Sequence, residues 1–188
     1  MIYFSLGILI VFLGASRLMG RSFAIDLPRL SKYFFAATII LIFIFLFFQS
    51  YQQYQLWLKN DISKHLLPPY QDINYFIFYS LTRFFGPYLI SLAAGILFLF
   101  SAKTLNKKYQ KRFFCPEEYY FGALAIFLSS HPDWLFYLIF VILLYLLIHI
   151  FSLRRLSLYY LWIPTVIFVI IISKLYLSNL SLWIILNI

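Results

Sequence analysis

Apolar residues in this chain fall in long runs, separated by short polar or basic breaks. The first run, Ile2 to Ala15, reaches about 21 Å as a helix against about 30 Å of bilayer hydrocarbon. It crosses only if Ser16 to Met19 lengthen it or its neighbours thin the bilayer, and Gly7 and Gly14 would let another helix approach it closely. Tyr33 to Gln49 is a spanning segment with no charge inside it. Tyr75 to Ala102 is longer than one crossing needs and holds Arg83, Gly86 and Pro87. That predicts either a tilted, kinked helix or an interfacial turn followed by a span from about Gly86. Glu117 to Ser130 is a second short run, and Trp134 to Ser152 and Leu156 to Ser173 are full spans, with Pro164 as a kink point in the latter. Ser178 to Ile188 is apolar but too short to cross.

This pattern predicts an all-α, polytopic membrane bundle of about six transmembrane helices, a single transmembrane domain over residues 1–188. The alternative is five crossings plus one re-entrant helix at Glu117 to Ser130. Ser50 to Asn74 is polar, yet Tyr51, Tyr54, Leu58 and Ile62 recur at helical spacing with Trp57 beside them. That spacing predicts a helix lying in the outer interface, ended by Pro68 and Pro69.

Composition agrees with the pattern. Of 188 residues 64% are hydrophobic and only 11% charged, whereas soluble domains are about a quarter charged. A chain this short cannot hide so much apolar surface in a soluble core, so lipid is its solvent. The formal charge of +9 would point to nucleic acid in a soluble protein. Here the bases cluster between apolar runs, which reads as a topology signal with anionic headgroups as partners and no nucleic acid.

Counting bases gives an orientation. With the N-terminus outside a cell membrane, the inner side holds Arg17, Arg21, Arg29, Lys32, the basic loop 103–112, Arg154 and Arg155. The outer side keeps Lys59, Lys64, Arg83 and Lys174. A re-entrant Glu117 to Ser130 would move Arg154 and Arg155 outside, so the positive-inside rule favours six crossings. No basic residue precedes the first apolar run, which favours a retained helix over a cleaved signal. One cysteine, Cys115, precludes an internal disulfide, no Cys/His set has metal-ligand spacing, and no cofactor is expected.

The residues that could carry chemistry are few. Arg83 lies within the outer part of the membrane in the kinked reading, as a substrate contact or an arginine snorkelling to headgroups. His131 and Asp133 stand at the outer end of their helix, where Arg83 and Asp72 could approach and bind an anion or shuttle a proton. Helix-start chemistry explains Pro132 and Asp133 without any function. Glu117 and Glu118 could serve acid–base or metal chemistry, but adjacent helical residues point about 100° apart. Their place behind Pro116 is that of first-turn acids. His149, about one turn from the inner interface, is expected to be hydrogen-bonded there.

Gly7 to Gly14 also aligns with Gly122 to Ser129, as if each opened one half of an inverted repeat. Three functions follow as expectations. The first is a non-catalytic subunit or assembly factor of a membrane complex, with membrane-protein partners. The second is a small solute or ion transporter component with inverted repeats, though a solute path needs more polar lining than the runs provide. The third is a membrane enzyme acting on a lipid-linked substrate through Arg83, His131 and Asp133; the missing phosphate-loop and zinc-protease motifs weigh against it.

Overall fold

In the computed structural model of the chain, which describes residues 4–11, 14, 27–110, 114–151 and 159–175, every long element is a helix and no strand occurs among the described residues. Helix α1 covers residues 4–11. It is followed by α2 (Leu27–Lys59), α3 (Ile73–Ser80), α4 (Gly86–Lys108), α5 (Glu118–Ser129), α6 (Asp133–Phe151) and α7 (Tyr159–Leu175). Among the described residues, three paths are long and apolar enough to cross a membrane: Pro28–Lys59, Ile73–Lys108 and Asp133–Ile150. Helix α6 leaves Ile142, Leu143, Leu146, Leu147 and Ile150 exposed, a face that water would penalise and lipid accepts. Arg17, Arg21, Arg112, Arg154, Arg155 and the tail from Ser178 lie outside the described residues.

The enclosed element is α5. Phe121 to Ser129 are buried without a break, packed by α2, α4, α6 and α7. A helix that is apolar all round is stable only when covered all round. Its 12 residues extend about 18 Å, well short of the hydrocarbon. Such a helix is tolerated because protein groups meet its polar ends. At the start, the Cys115 N–H donates to Glu118 Oε2 at 2.9 Å, so the acid three residues on caps the turn that Pro116 opens.

Helix α5 runs antiparallel to α4. Ser91 faces Phe127, Gly95 faces Ala123, Phe98 covers Gly122, and Asn106 reaches Tyr119. The Ser91 hydroxyl donates across the interface to Phe127 O at 3.2 Å, sharing its proton with Tyr88 O on its own helix. A Cβ at Gly95 would lie 2.9 Å from the Ala123 carbonyl oxygen, and one at Gly122 would collide with the Phe98 ring. The close approach predicted at Gly7 and Gly14 is therefore corrected: a Cβ at either meets nothing within 4 Å. The two glycines aligned by the proposed repeat, Gly7 and Gly122, thus sit in unlike surroundings.

The predicted interfacial helix is corrected as well. Helix α2 continues unbroken past Gln49 to Lys59, and α3 folds back along it. Ser80 Oγ donates to Ser50 Oγ at 2.6 Å, and the rings of Tyr54 and Phe76, Trp57 and Phe76, and Trp57 and Tyr79 pair at 5.3, 5.3 and 4.8 Å. Rings expected to seek the headgroups are taken up by α3 instead. Of the predicted stripe, Tyr51, Leu58 and Ile62 stay exposed.

From Ile73 to Lys108 the chain follows the kinked-helix alternative. A π turn, Leu81–Phe85, joins α3 to α4, with the Gly86 N–H donating to Leu81 O. Pro87 cannot donate, and its ring would clash with a carbonyl four residues back. The wider turn relieves that clash, which is why the helical path continues through Pro87 and does not end.

Candidate functional site

The end of α5 is a tight polar turn. Ser130 adopts φ 66° and ψ 169°, a conformation that costs a residue with a side chain about 1–3 kcal/mol. Backbone hydrogen bonds hold it there: Ser130 N–H to Phe127 O at 3.3 Å, Trp134 N–H to Ser130 O at 3.0 Å, and His131 N–H to Pro87 O at 3.2 Å. The last of these ties the turn to the first turn of α4.

Asp133 opens α6 at this point, with Ser173, near the end of α7, among its neighbours. Tyr88, next to the carbonyl that holds His131, is buried, and the Asp133 carboxylate is close enough for its charge to reach the phenol. Ser5 of α1 is 1% exposed and faces Tyr88, yet its Oγ has no hydrogen bond of normal geometry. Asp133 thus has Ser173 and Tyr88 among its neighbours, and Tyr88 has Ser5.

His131 and Asp133 stand two residues apart at the start of α6, and neither Arg83 nor Asp72 makes a hydrogen bond or ion pair with them among the described residues. Arg83 is exposed on the π turn and makes no hydrogen bond or ion pair among the described residues. It stands about 30 Å along the helix from Lys103, the thickness of the hydrocarbon, so the two bases suit opposite headgroup layers. Asp72 is exposed and accepts from Asn74 Nδ2 at 3.2 Å.

Glu117 and Glu118 lie at the opposite end of α5. Glu118 is 2% exposed and serves as the cap, whereas Glu117 is only half-buried, so the pair does not converge on one ligand. Among the described residues no three His, Cys, Asp or Glu side chains converge to hold a metal. His149 is exposed, with its ring parallel to that of Tyr145 at 6.1 Å, and among the described residues it makes no hydrogen bond; the expected bond at the interface is corrected to a ring contact.

The loop beside Glu118 is held by Asn106, which is buried on α4. Its side chain donates to Phe114 O and to the Tyr119 hydroxyl, and it accepts from the Phe114 N–H at 3.1 Å. Cys115 next to it is exposed. Desolvation, and then the nearby Glu118 and Glu117 carboxylates, hold its thiol above the usual range, because each disfavours the thiolate.

Sequence reasoning missed Tyr88, Ser173, Ser5 and Asn106. Each is a small polar or phenolic group inside or beside an apolar run, and nothing local marks it. Comparison with family models, with curated proteins and with solved structures returned no match.

Proposed function

We propose that this protein is a non-catalytic subunit or assembly factor of a larger membrane complex, crossing the cell membrane six times with its N-terminus outside and the basic loop 103–112 in the cytoplasm. The observation that supports this most is the α2–α3 hairpin. Helix α2 has 33 residues, about 50 Å, some 20 Å more than the hydrocarbon needs. With Arg83 and Lys103 at the two boundaries, Ser50 to Lys59 and Ile73 to Ser80 stand above the lipid tails. Leu56, Ile62 and Tyr70 are 61%, 84% and 66% exposed at that height. Apolar surface with no acyl chain to face fits a protein partner. The exposed Lys103, Lys107 and Lys108 at the other end fit anionic headgroups. A second reading, a small transporter component, is favoured by the polar groups about Asp133, namely Ser173 and Tyr88.

Affinity purification from native membranes in mild detergent tests the first reading. A stoichiometric membrane-protein partner is expected, and Ile62→Asp should cut its recovery at least tenfold while the bait's yield is unchanged. A clean monomer, or recovery indifferent to Ile62→Asp, would refute it.

Orientation is tested at Cys115. An impermeant maleimide should label it in inside-out vesicles and not in intact cells; the reverse would sink the proposed topology. Only the thiolate reacts. With the thiol held high, labelling should be slow at neutral pH and rise about tenfold per pH unit into the alkaline range. Glu118→Gln removes a neighbouring negative charge, so the same curve should shift to lower pH. A curve unmoved by that change would mean the carboxylates do not act on the thiol.

A further inference from the structure

We propose that the basic end of α4, together with Tyr120 of α5, holds one anionic phospholipid. Its phosphate sits on Lys103, Lys107 and the Tyr120 hydroxyl, and an acyl chain lies on Ile96 and Phe100. This deepens the reading that the exposed lysines of α4 meet headgroups, and rests on it.

Spacing builds the surface. Ile96, Phe100, Lys103 and Lys107 follow one another at four, three and four residues, so they form one stripe along α4. Ile96 and Phe100 are 40% and 64% exposed, and both lysines are exposed. Lys103 stands about 4.5 Å along the helix beyond Phe100, and Lys107 about 6 Å further. The stripe is thus apolar toward the middle of α4 and basic toward its end, the same order as an acyl chain and its phosphate.

What separates this place from any basic helix end is α5. Lys103 Nζ lies 5.2 Å from the centre of the Tyr120 ring and donates to the Tyr120 hydroxyl at 3.4 Å. A lysine stem is ordinarily free to swing, and this contact holds its ammonium in place. Two of the three ammonium protons remain for a ligand, and the Tyr120 oxygen, which accepts here, still has its own proton to donate. Among the described residues neither Lys103 nor Lys107 is paired with a carboxylate.

Charge selects the headgroup. Lys103, Lys107 and Lys108 stand at this end against Glu117 and Glu118, and the end of α4 and the start of α5 bring opposite partial charges that offset each other. Among the described residues one positive charge is left over, which one phosphate diester neutralises. A zwitterionic headgroup would set a further cation against the two lysines.

The test is native mass spectrometry of the purified full chain in mild detergent, titrated with phosphatidylglycerol and, separately, with phosphatidylcholine. One phosphatidylglycerol should be retained, saturably and at least tenfold more tightly than phosphatidylcholine. Lys103→Gln and Lys107→Gln should each raise the half-saturating concentration about fivefold, the contribution of one lysine at an anionic surface. Tyr120→Phe changes no charge and should raise it several-fold as well. Lys64→Gln, in the loop of the α2–α3 hairpin, should leave it unchanged. A preference for phosphatidylglycerol that never saturates and that ignores Lys107→Gln and Tyr120→Phe would mean loose attraction to headgroups. That result overturns the site and spares the earlier reading, whereas no preference at all overturns both. Displacement of the lipid by inorganic phosphate would assign the charges to a soluble anion and overturn the proposal too. Recovery of a protein partner, followed through Ile62→Asp, is a separate readout, so either proposal can fail alone.

Discussion

Gly95→Val is expected to unseat α5 from α4 and to cost about 3 kcal/mol, the upper range for overpacking a core. The obstacle is a backbone atom. The new Cβ would lie 2.9 Å from Ala123 O, and that oxygen moves only if α5 moves. Helix α5 has no free side to yield toward, because α2, α6 and α7 enclose it with α4. Packed interiors of this kind transmit strain and do not absorb it. For a chain of this length each kcal/mol lowers the unfolding midpoint by about 2–4 °C, so a drop of roughly 10 °C should be read in detergent. Gly7→Val is the internal control. Nothing lies within 4 Å of the added group, and its effect should stay within about 0.5 kcal/mol. Equal midpoints for the two variants would show that the α4–α5 approach is not as close as described.

Asn106→Ala should be comparably damaging, at about 2–4 kcal/mol. It removes the partner of three polar groups at once: the Phe114 N–H, the Phe114 carbonyl and the Tyr119 hydroxyl. A buried polar group left unmet costs about 1–3 kcal/mol, and those at the loop recover part of that from water. The loss also has a local signature. Phe114 is the neighbour of Cys115, so releasing it should speed maleimide labelling of Cys115 several-fold. Asn106→Asp keeps an acceptor for the Phe114 N–H and loses both donated bonds, and it should fall between alanine and wild type. If Asn106→Ala leaves both the labelling rate and the midpoint unchanged, Asn106 does not clamp the loop.

Much of the architecture was legible along the chain because it rests on local chemistry. Phe121 to Ser129 is apolar on every side, and a helix of that kind must be covered, as α5 is. Pro87 marked a break in the regular α ladder, and a π turn stands just before it. Pro116 and the acids after it predicted a helix start, and Glu118 caps it. The run from Ser50 to Ile62 misled, because a helix lying in the interface and one arm of a helical hairpin share the same spacing of aromatic residues. What separates them is whether other rings stand opposite, and those of Phe76 and Tyr79 do.

The candidate site divides the same way. Asp133 was visible as an acid at a helix start, and His131 as its neighbour. Tyr88, Ser173 and Ser5 were silent, since each reaches Asp133 or its neighbour only after distant segments have packed.

The sequence by itself determined that lipid is the solvent, that the chain is helical and where its longest apolar paths run. Those follow from the hydrophobicity of consecutive residues and from a backbone that must satisfy its own hydrogen bonds in hydrocarbon. Tertiary structure alone decided that Gly95 and Gly122 are points of close approach while Gly7 and Gly14 are not, that α2 continues unbroken to Lys59 with α3 folded back along it, and that Ser173 and Tyr88 come near Asp133. A glycine, a ring or a carboxylate is chemically the same wherever it occurs in the chain. Its energy is set by what lies within a few ångströms of it, and residues far apart in the chain decide that.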